Sequence, residues 1–229
     1  MAGNRTADAL GMVDWEPLHD KVYGRIRDAL MEAQFEPDAK LSLRSIAEQL
    51  GVSVMPVRAA VLRLVAEKAV YQSANGHFRV PKLEQPEFDD IVFLRAELEG
   101  LAAERAAALR TASELSQMKS AAKDLTRASK ANDASTYLQA NRSFKFLVVS
   151  AARMPVLQDL IESLWMRIGP FMSHYATDIR HQHEIDQHDN VVKSIEKGDG
   201  AAARKAMARD IIAGAGFLRN AAEFHDPPV

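Results

Sequence analysis

The stretch Leu41–Arg63, LSLRSIAEQLGVSVMPVRAAVLR, constrains the fold more than any other part of the chain. Leu43, Ile46, Ala47 and Leu50 recur at the spacing of one helix face. Gly51 follows at once, and glycine ends helices because it enters the left-handed conformation cheaply. Ser53 is placed to cap a second helix, with Pro56 in its first turn, where a missing N–H costs nothing. Val57, Val61, Leu62 and Val65 are expected to form that helix's buried side. Two short helices joined by a tight glycine turn make a helix-turn-helix, whose second helix can enter a DNA major groove.

Next come Ala69-Val70-Tyr71-Gln72, a polar turn Ser73-Ala74-Asn75-Gly76, and His77-Phe78-Arg79-Val80. Apolar–polar alternation around Asn-Gly predicts a β-hairpin, so the whole reads as a winged helix. From Leu41 to Lys82 six basic residues (Arg44, Arg58, Arg63, Lys68, Arg79, Lys82) face two acidic ones (Glu48, Glu67), within a chain of net charge -2. A local positive surface in a near-neutral chain fits contact with phosphates. The competing reading is a small helical subdomain that binds nothing.

These residues carry a resemblance. Leu43-Arg44-Ser45-Ile46-Ala47, Gly51-Val52-Ser53, Met55-Pro56-Val57-Arg58-Ala59-Ala60 and a wing ending Gly76-His77-Phe78-Arg79-Val80 resemble the GntR family of bacterial transcription regulators over about residues 18–82. The resemblance implies a DNA surface of Arg44, Ser53, Val54, Met55, Pro56, Arg58, Gly76 and His77. Arg58 would read a base or phosphate and Arg44 would hold the backbone. Met55 would touch a thymine methyl, and the wing at Gly76-His77 would approach the minor groove. Two departures stand out. Val54 replaces the arginine usual after the turn serine, which removes one base-reading guanidinium. Asp38 stands where the loop before the motif usually has glycine.

At 229 residues the chain can hold two domains, each with its own core. With no cysteine it offers no disulfide, thiolate nucleophile or thiolate metal site. No apolar run approaches the ~18 residues of a membrane span, and the N-terminus lacks the pattern of a signal peptide. A cytoplasmic location without membrane contact is the expectation.

Residues 1–14 show little periodicity and are expected to form a tail ahead of a helix from about Leu18 to Ala33. The expected organisation is a winged-helix domain over 1–82, a linker at 83–86 within the polar run Pro81–Pro86, and an all-α domain over 87–229. Helices are expected at about Phe88–Leu109, from a Thr111 or Ser113 cap to Lys130, and at Ala134–Ala151 with Asp133 as cap. Others follow at Pro155–Ile168, broken at Gly169-Pro170, and at Glu184–Lys197 and Ala201–Ala222. The fold class is therefore mainly α: a winged helix with a small hairpin, then a helical bundle. This order resembles the FadR subfamily with its FCD ligand-sensing domain, through Arg95-Ala96-Glu97-Leu98-Glu99 near the start and Ile195-Glu196-Lys197-Gly198-Asp199 near the end.

Five polar residues fall on apolar stripes. Arg95 is in line with Ile91, Leu98 and Ala102; Asn141 and Lys145, four apart, share a face with Leu138 and Val148. His188 is in line with Val191, Val192 and Ile195, and Asp210 with Met207, Gly214 and Phe217. Buried singly, such groups cost roughly 1–3 kcal/mol each, so they should meet one another, water or a ligand. The bland alternative is snorkelling boundary residues or plain ion pairs.

The resemblance extends to this set. Many FCD domains bind a divalent metal through an Asp and a His four apart, plus two further His. Here Asn141, Lys145, His188 and Asp210 hold those places. A charged lysine has no lone pair and repels a cation. No cofactor is expected: Lys145 would replace the metal's charge, balanced by Asp210, and an organic-acid effector would dock on Lys145 and Arg95. The competing reading keeps zinc or nickel on residual ligands His188 and Asp210. His183 and His188, five apart, diverge by about 140° on a helix and do not form a His-Glu-x-x-His site. No phosphate loop, nucleophile elbow or paired-carboxylate motif points to an enzyme. The expected partners are a palindromic duplex operator, a small organic acid and a second copy of the chain. A further competitor is an all-α module, binding or enzymatic, whose winged helix serves protein contacts.

Overall fold

The structure, a computed structural model, describes residues 18–176, 179, 187–221 and 224. The expected tail over 1–14, His183 and the start of the helix expected from Glu184 lie outside them.

Helix α1 (Leu18–Met31) buries Val22, Tyr23, Ile26, Leu30 and Met31. Strand β1 (Lys40–Leu41) leads into α2 (Leu43–Leu50), α3 (Val54–Ala66), β2 (Tyr71–Gln72) and β3 (Phe78–Arg79). Helices α2 and α3 cross at 119°, the elbow of a helix-turn-helix. Ser42 caps α2 by accepting from the Ser45 amide, and Gly51 closes it at φ 66°, as its position after Leu50 predicts. Ser53 does stand at the N-cap of α3, yet its hydroxyl makes no capping bond.

Two details differ from the sequence reading. The buried stripe of α3 is Val57, Ala60, Val61 and Leu64. Leu62 is 46% exposed, because it lies about 100° around the helix from Val61. The hairpin is also a three-stranded sheet of order β1-β3-β2, in which β3 pairs antiparallel on both sides: Lys40 and Tyr71 flank Arg79, and Leu41 and Gln72 flank Phe78. A two-residue strand offers too short an alternation to be read from sequence.

Asp38 takes φ 65°, the left-handed conformation its glycine-like position demands. Its carboxylate accepts from Arg79 Nη1 at 2.9 Å and from the Tyr71 hydroxyl at 3.4 Å, and Lys82 Nζ lies at 3.9 Å. The departure from glycine thus ties the loop to both wing strands.

Beyond the wing the described chain is helical. Helix α4 begins at Gln85 with Pro86 in its first turn and runs to Leu109, so the expected linker at 83–86 is too long: Gln85 and Pro86 are helix, and Leu83 is buried. Then come α5 (Ala112–Ala131), α6 (Ala134–Ala151) and α7 (Pro155–Ile168). Thr111 and Glu114 form a reciprocal capping box on α5, and Asp133 caps α6 through the Thr136 amide. At Gly169-Pro170 the chain tightens into a 3₁₀ segment, Gly169–Ala176. Helices α8 (His188–Lys197) and α9 (Gly200–Ala221) complete the bundle, with α9 laid along the alanine-rich face of α4.

The winged helix is seated on this bundle. Gly169 meets the backbone of α1 so closely that a Cβ there would land on the Leu30 carbonyl oxygen and 2.8 Å from Met31 Cα. Arg27 of α1 reaches Glu162 of α7 at 2.9 Å, and Arg142 of α6 reaches Asp28 at 2.6 Å and Glu32 at 2.7 Å. Among the described residues, no single helix is long and apolar enough to cross a membrane.

Candidate functional site

The outer face of α3 carries Met55, Arg58, Ala59 and Leu62, all exposed, at the three- and four-residue spacing of one stripe. Arg44 on α2 and the wing tip Gly76-His77 are exposed as well, whereas Val54 and Pro56 are half-buried against the fold. Gly76 N–H donates to the Ser73 carbonyl at 2.8 Å, closing the turn that presents His77.

The electrostatics are narrower than a count of charges suggests. Arg63 is bound to Asp20 and Glu67 and lies 3.7 Å over the Tyr23 ring, while Arg79 and Lys82 share Asp38. Burial, together with the hydrogen bond to Glu67, pushes the Tyr23 hydroxyl up to about 12. Arg44 and Arg58 enter no ion pair among the described residues. Among the described residues the unpaired positive charge of the α2–α3 elbow is therefore these two exposed arginines.

The five polar residues of the helical domain are all buried, and all five line one interior cavity of about 30 Å³. Val92, Tyr137, Ile168, Met172, Ile211 and Leu218 form part of its apolar wall. Helices α4, α6, α8 and α9 each contribute, which is why the residues are so far apart in sequence. Lys145 Nζ donates to Asp210 Oδ2 at 2.5 Å and lies 3.0 Å from Met207 Sδ. Asp210 also accepts from the Gln187 amide at 2.8 Å, at the N-terminal end of α8, where a helix dipole favours a carboxylate. His188 Nε2 lies 3.4 Å from Asp210 Oδ2 and 3.4 Å from Asn141 Oδ1, so two acceptors face this nitrogen and call for a proton on it. Burial works to raise the Asp210 carboxyl, yet the charges of His188 and Lys145 and the two hydrogen bonds outweigh it and hold the group at about 2.

Arg95, expected to receive an acid, already has an anion beside it. Its Nε donates to Glu99 Oε1 at 2.7 Å, and its guanidinium lies 4.4 Å over the Trp165 ring. Trp165 Nε1 donates to the same oxygen at 2.9 Å, and Glu99 Oε2 is buried without a hydrogen-bond partner among the described residues. Glu99 is the buried charged residue that the sequence reading overlooks. Its signal was present: Arg95 and Glu99 are four apart on one helix face.

A metal ion does not fit the donors present. The four positions hold an amide, an ammonium, an imidazole and a carboxylate, and the ammonium sits on the carboxylate oxygen a cation would need. Among the described residues, no group of three or more His, Asp or Glu is placed to hold one.

Comparison with known proteins agrees with both halves. The sequence matches "Bacterial regulatory proteins, gntR family" over residues 18–80 and the FCD domain over 90–213. The HTH-type transcriptional regulator McbR of Escherichia coli strain K12 is 32% identical over 168 residues, covering 73% of this chain and 76% of its own. The HTH-type transcriptional repressor RspR of the same strain is 22% identical over 198 residues, 86% of each chain. The solved structure of E. coli McbR/YncC superposes with a TM-score of 0.83 at 27% identity, covering 90% of this chain and 99% of that one. These relatives are a transcriptional regulator and a transcriptional repressor. With a DNA-binding winged helix in front of an FCD effector domain, the chain belongs to the GntR family of bacterial transcriptional regulators.

Proposed function

We propose that the chain is a FadR-subfamily homodimer that binds a palindromic operator through 1–82 and senses a small organic acid through the bundle that follows residue 84. What carries the DNA half is the pair of exposed arginines, Arg44 and Arg58, on the outer side of the elbow, which enter no ion pair among the described residues. In this reading α3 enters the major groove and Arg58 reads a base or phosphate, with Met55 at a thymine methyl. Ser53, Val54 and Pro56 set the helix entry, Arg44 grips the backbone, and Gly76-His77 approach the minor groove. A two-fold dimer accounts for the palindrome. Exposed apolar side chains on two helices that pack together, Phe93 and Leu94 of α4 and Val156 and Leu160 of α7, supply a surface for the second copy. Such a regulator works in the cytoplasm, beside the chromosome.

Arg95, Asn141, Lys145, His188 and Asp210 form the effector site. About 30 Å³ accommodates a water or two, not an organic acid. An acid must therefore part Lys145 from Asp210 or spread α6 from α9, and an arrangement so changed differs from the empty one in affinity for it. Lys145 stands where a metal would supply the positive charge. Its ammonium and the Arg95 guanidinium would receive the acid's carboxylates.

Three measurements test this. A duplex selected from a random library should bind the parent, and Arg58→Ala should weaken it at least about tenfold with an unchanged melting temperature; parent-like binding by the variant would overturn direct readout. Thermal shift with succinate and citrate should stabilise the parent and not Lys145→Ala. Stoichiometric zinc or nickel in purified protein would overturn the metal-free site.

A further inference from the structure

We infer that Arg142 is the positioning residue through which the state of the interior cavity reaches the winged helix, an inference that rests on the regulator reading above. Arg142 lies on α6 between Asn141 and Lys145, the two polar residues that line the cavity beside Tyr137 of the same helix. Its two terminal nitrogens take separate carboxylates near the end of α1: Nη2 on Asp28 Oδ1 at 2.6 Å and Nη1 on Glu32 Oε1 at 2.7 Å. All three side chains are more than half withdrawn from water, at 23%, 38% and 21% exposure, so the pairs are less screened than open surface pairs. The planar guanidinium spans two acceptors at once, and an ammonium cannot reproduce that geometry.

A second run of contacts ends on the same side chain. From the cavity, Arg95 holds Glu99 Oε1, which also takes Trp165 Nε1. Trp165 meets Phe146 edge-on at 5.5 Å, and the Arg142 guanidinium lies 5.8 Å from the Phe146 ring centre. Helix α6 is thus rigidly shared: a displacement that parts Lys145 from Asp210 turns or slides the segment that grips α1. The grip falls on the helix whose other end carries Asp20, paired with Arg63 of α3. Coupling of this kind is carried by packed side chains and ion pairs along an element that two sites share.

A double-mutant cycle on DNA affinity separates this role from mere scaffolding. Lys145→Met/Asp210→Asn removes both charges of the cavity ion pair, and Arg142→Ala removes the grip. The full-length protein is titrated onto the duplex it selects from a random library. The cavity change should shift the dissociation constant by at least about fivefold in the parent and by less than about twofold once Arg142 is alanine. Arg142→Lys, which keeps the charge and loses the fork, should restore only part of the difference. Circular dichroism establishes that each variant is folded. Nitroxide labels at Glu48→Cys and Lys123→Cys, diluted with unlabelled protein, should give one distance in the parent and a broadened one in Arg142→Ala. An undiminished cavity effect in the Arg142→Ala background, or no cavity effect in the parent, overturns the inference. A parent that selects no duplex overturns instead the DNA-binding reading beneath it.

Discussion

Replacing Lys145 by methionine takes the ammonium away from a carboxylate that is only 7% exposed. Asp210 then keeps the Gln187 amide and His188 but loses its 2.5 Å partner. Removing one member of a buried pair costs about 3–5 kcal/mol, because the survivor stays in the interior uncompensated. For a chain of this size each kcal/mol moves the melting temperature by about 2–4 °C, so a drop of about 6–20 °C is expected. Asp210→Asn should cost a similar amount by stranding Lys145 beside Met207. The double variant Lys145→Met/Asp210→Asn removes both charges together and should melt within about 4 °C of the parent. The assay is thermal denaturation at pH 7 and one fixed protein concentration, since a dimer's melting point moves with concentration. Losses that simply add in the double variant would refute the pairing on which the cavity's electrostatics depend.

The same pair fixes the direction of the acid response. The Asp210 carboxyl is more acidic in the fold, at about 2, than the 3.8 of an unperturbed aspartate. Burial pushes it the other way and is overcome by the charges of His188 and Lys145 and by the bonds from Lys145 and the Gln187 amide. A carboxylate more acidic folded than unfolded stabilises fully above the unfolded value and loses that contribution as the pH falls through the folded one. The stake is about 2 kcal/mol, disappearing between about pH 4 and pH 2. The parent should lose more stability across that window than the double variant; parallel acid profiles would count against the assignment.

Other outcomes follow from single positions. Gly169→Ala drives a methyl into the α1 backbone, so it should lower stability by at least about 1–3 kcal/mol in urea unfolding and loosen the winged helix from the bundle in hydrogen exchange. Asp38→Ala keeps the left-handed strain and loses the Arg79 and Tyr71 contacts, whereas Asp38→Gly loses the contacts but relieves the strain. Alanine should therefore be the worse replacement, by about 1 kcal/mol in thermal melts. Glu99→Gln leaves the Arg95 guanidinium without its buried counter-charge and should cost about 3 kcal/mol, read by unfolding followed through Trp165 fluorescence.

The elements were legible where local chemistry decides them. Gly51 and Asp133 lie where helix ends need them, Thr111 forms its capping box, and Gly169-Pro170 breaks the helical run into a 3₁₀ segment. The misses are decisions made over distance. Strand β1 exists because β3 has a free edge for Lys40-Leu41, something two residues cannot announce. Leu62 is apolar yet faces outward, since a helix with valines and leucines on several sides offers more than one candidate stripe and only packing on α1 chooses among them. Counting charge fared likewise: Arg63, Arg79 and Lys82 are paired with Asp20, Glu67 and Asp38, and two of these acids lie outside the counted segment.

The cavity shows most clearly what periodicity can and cannot supply. A charged residue on an apolar stripe must find company, so Arg95, Asn141, Lys145, His188 and Asp210 could be nominated from spacing alone, and all five line the same space. Who pairs with whom was a different question. Lys145–Asp210 joins helices 65 residues apart and depends on how α6 and α9 are rotated about their axes, which no single helix encodes. For Arg95 the apolar stripe of α4 hides a carboxylate four residues on, Glu99, on the same face. With Glu99 on Arg95 and Asp210 on Lys145, both cations already have an anion, and under the proposed function an incoming acid would have to compete for them. A site that binds only by breaking its own ion pairs is silent to weak or misshapen anions. In the proposed regulator it would also convert binding into motion of the helix that carries Arg142.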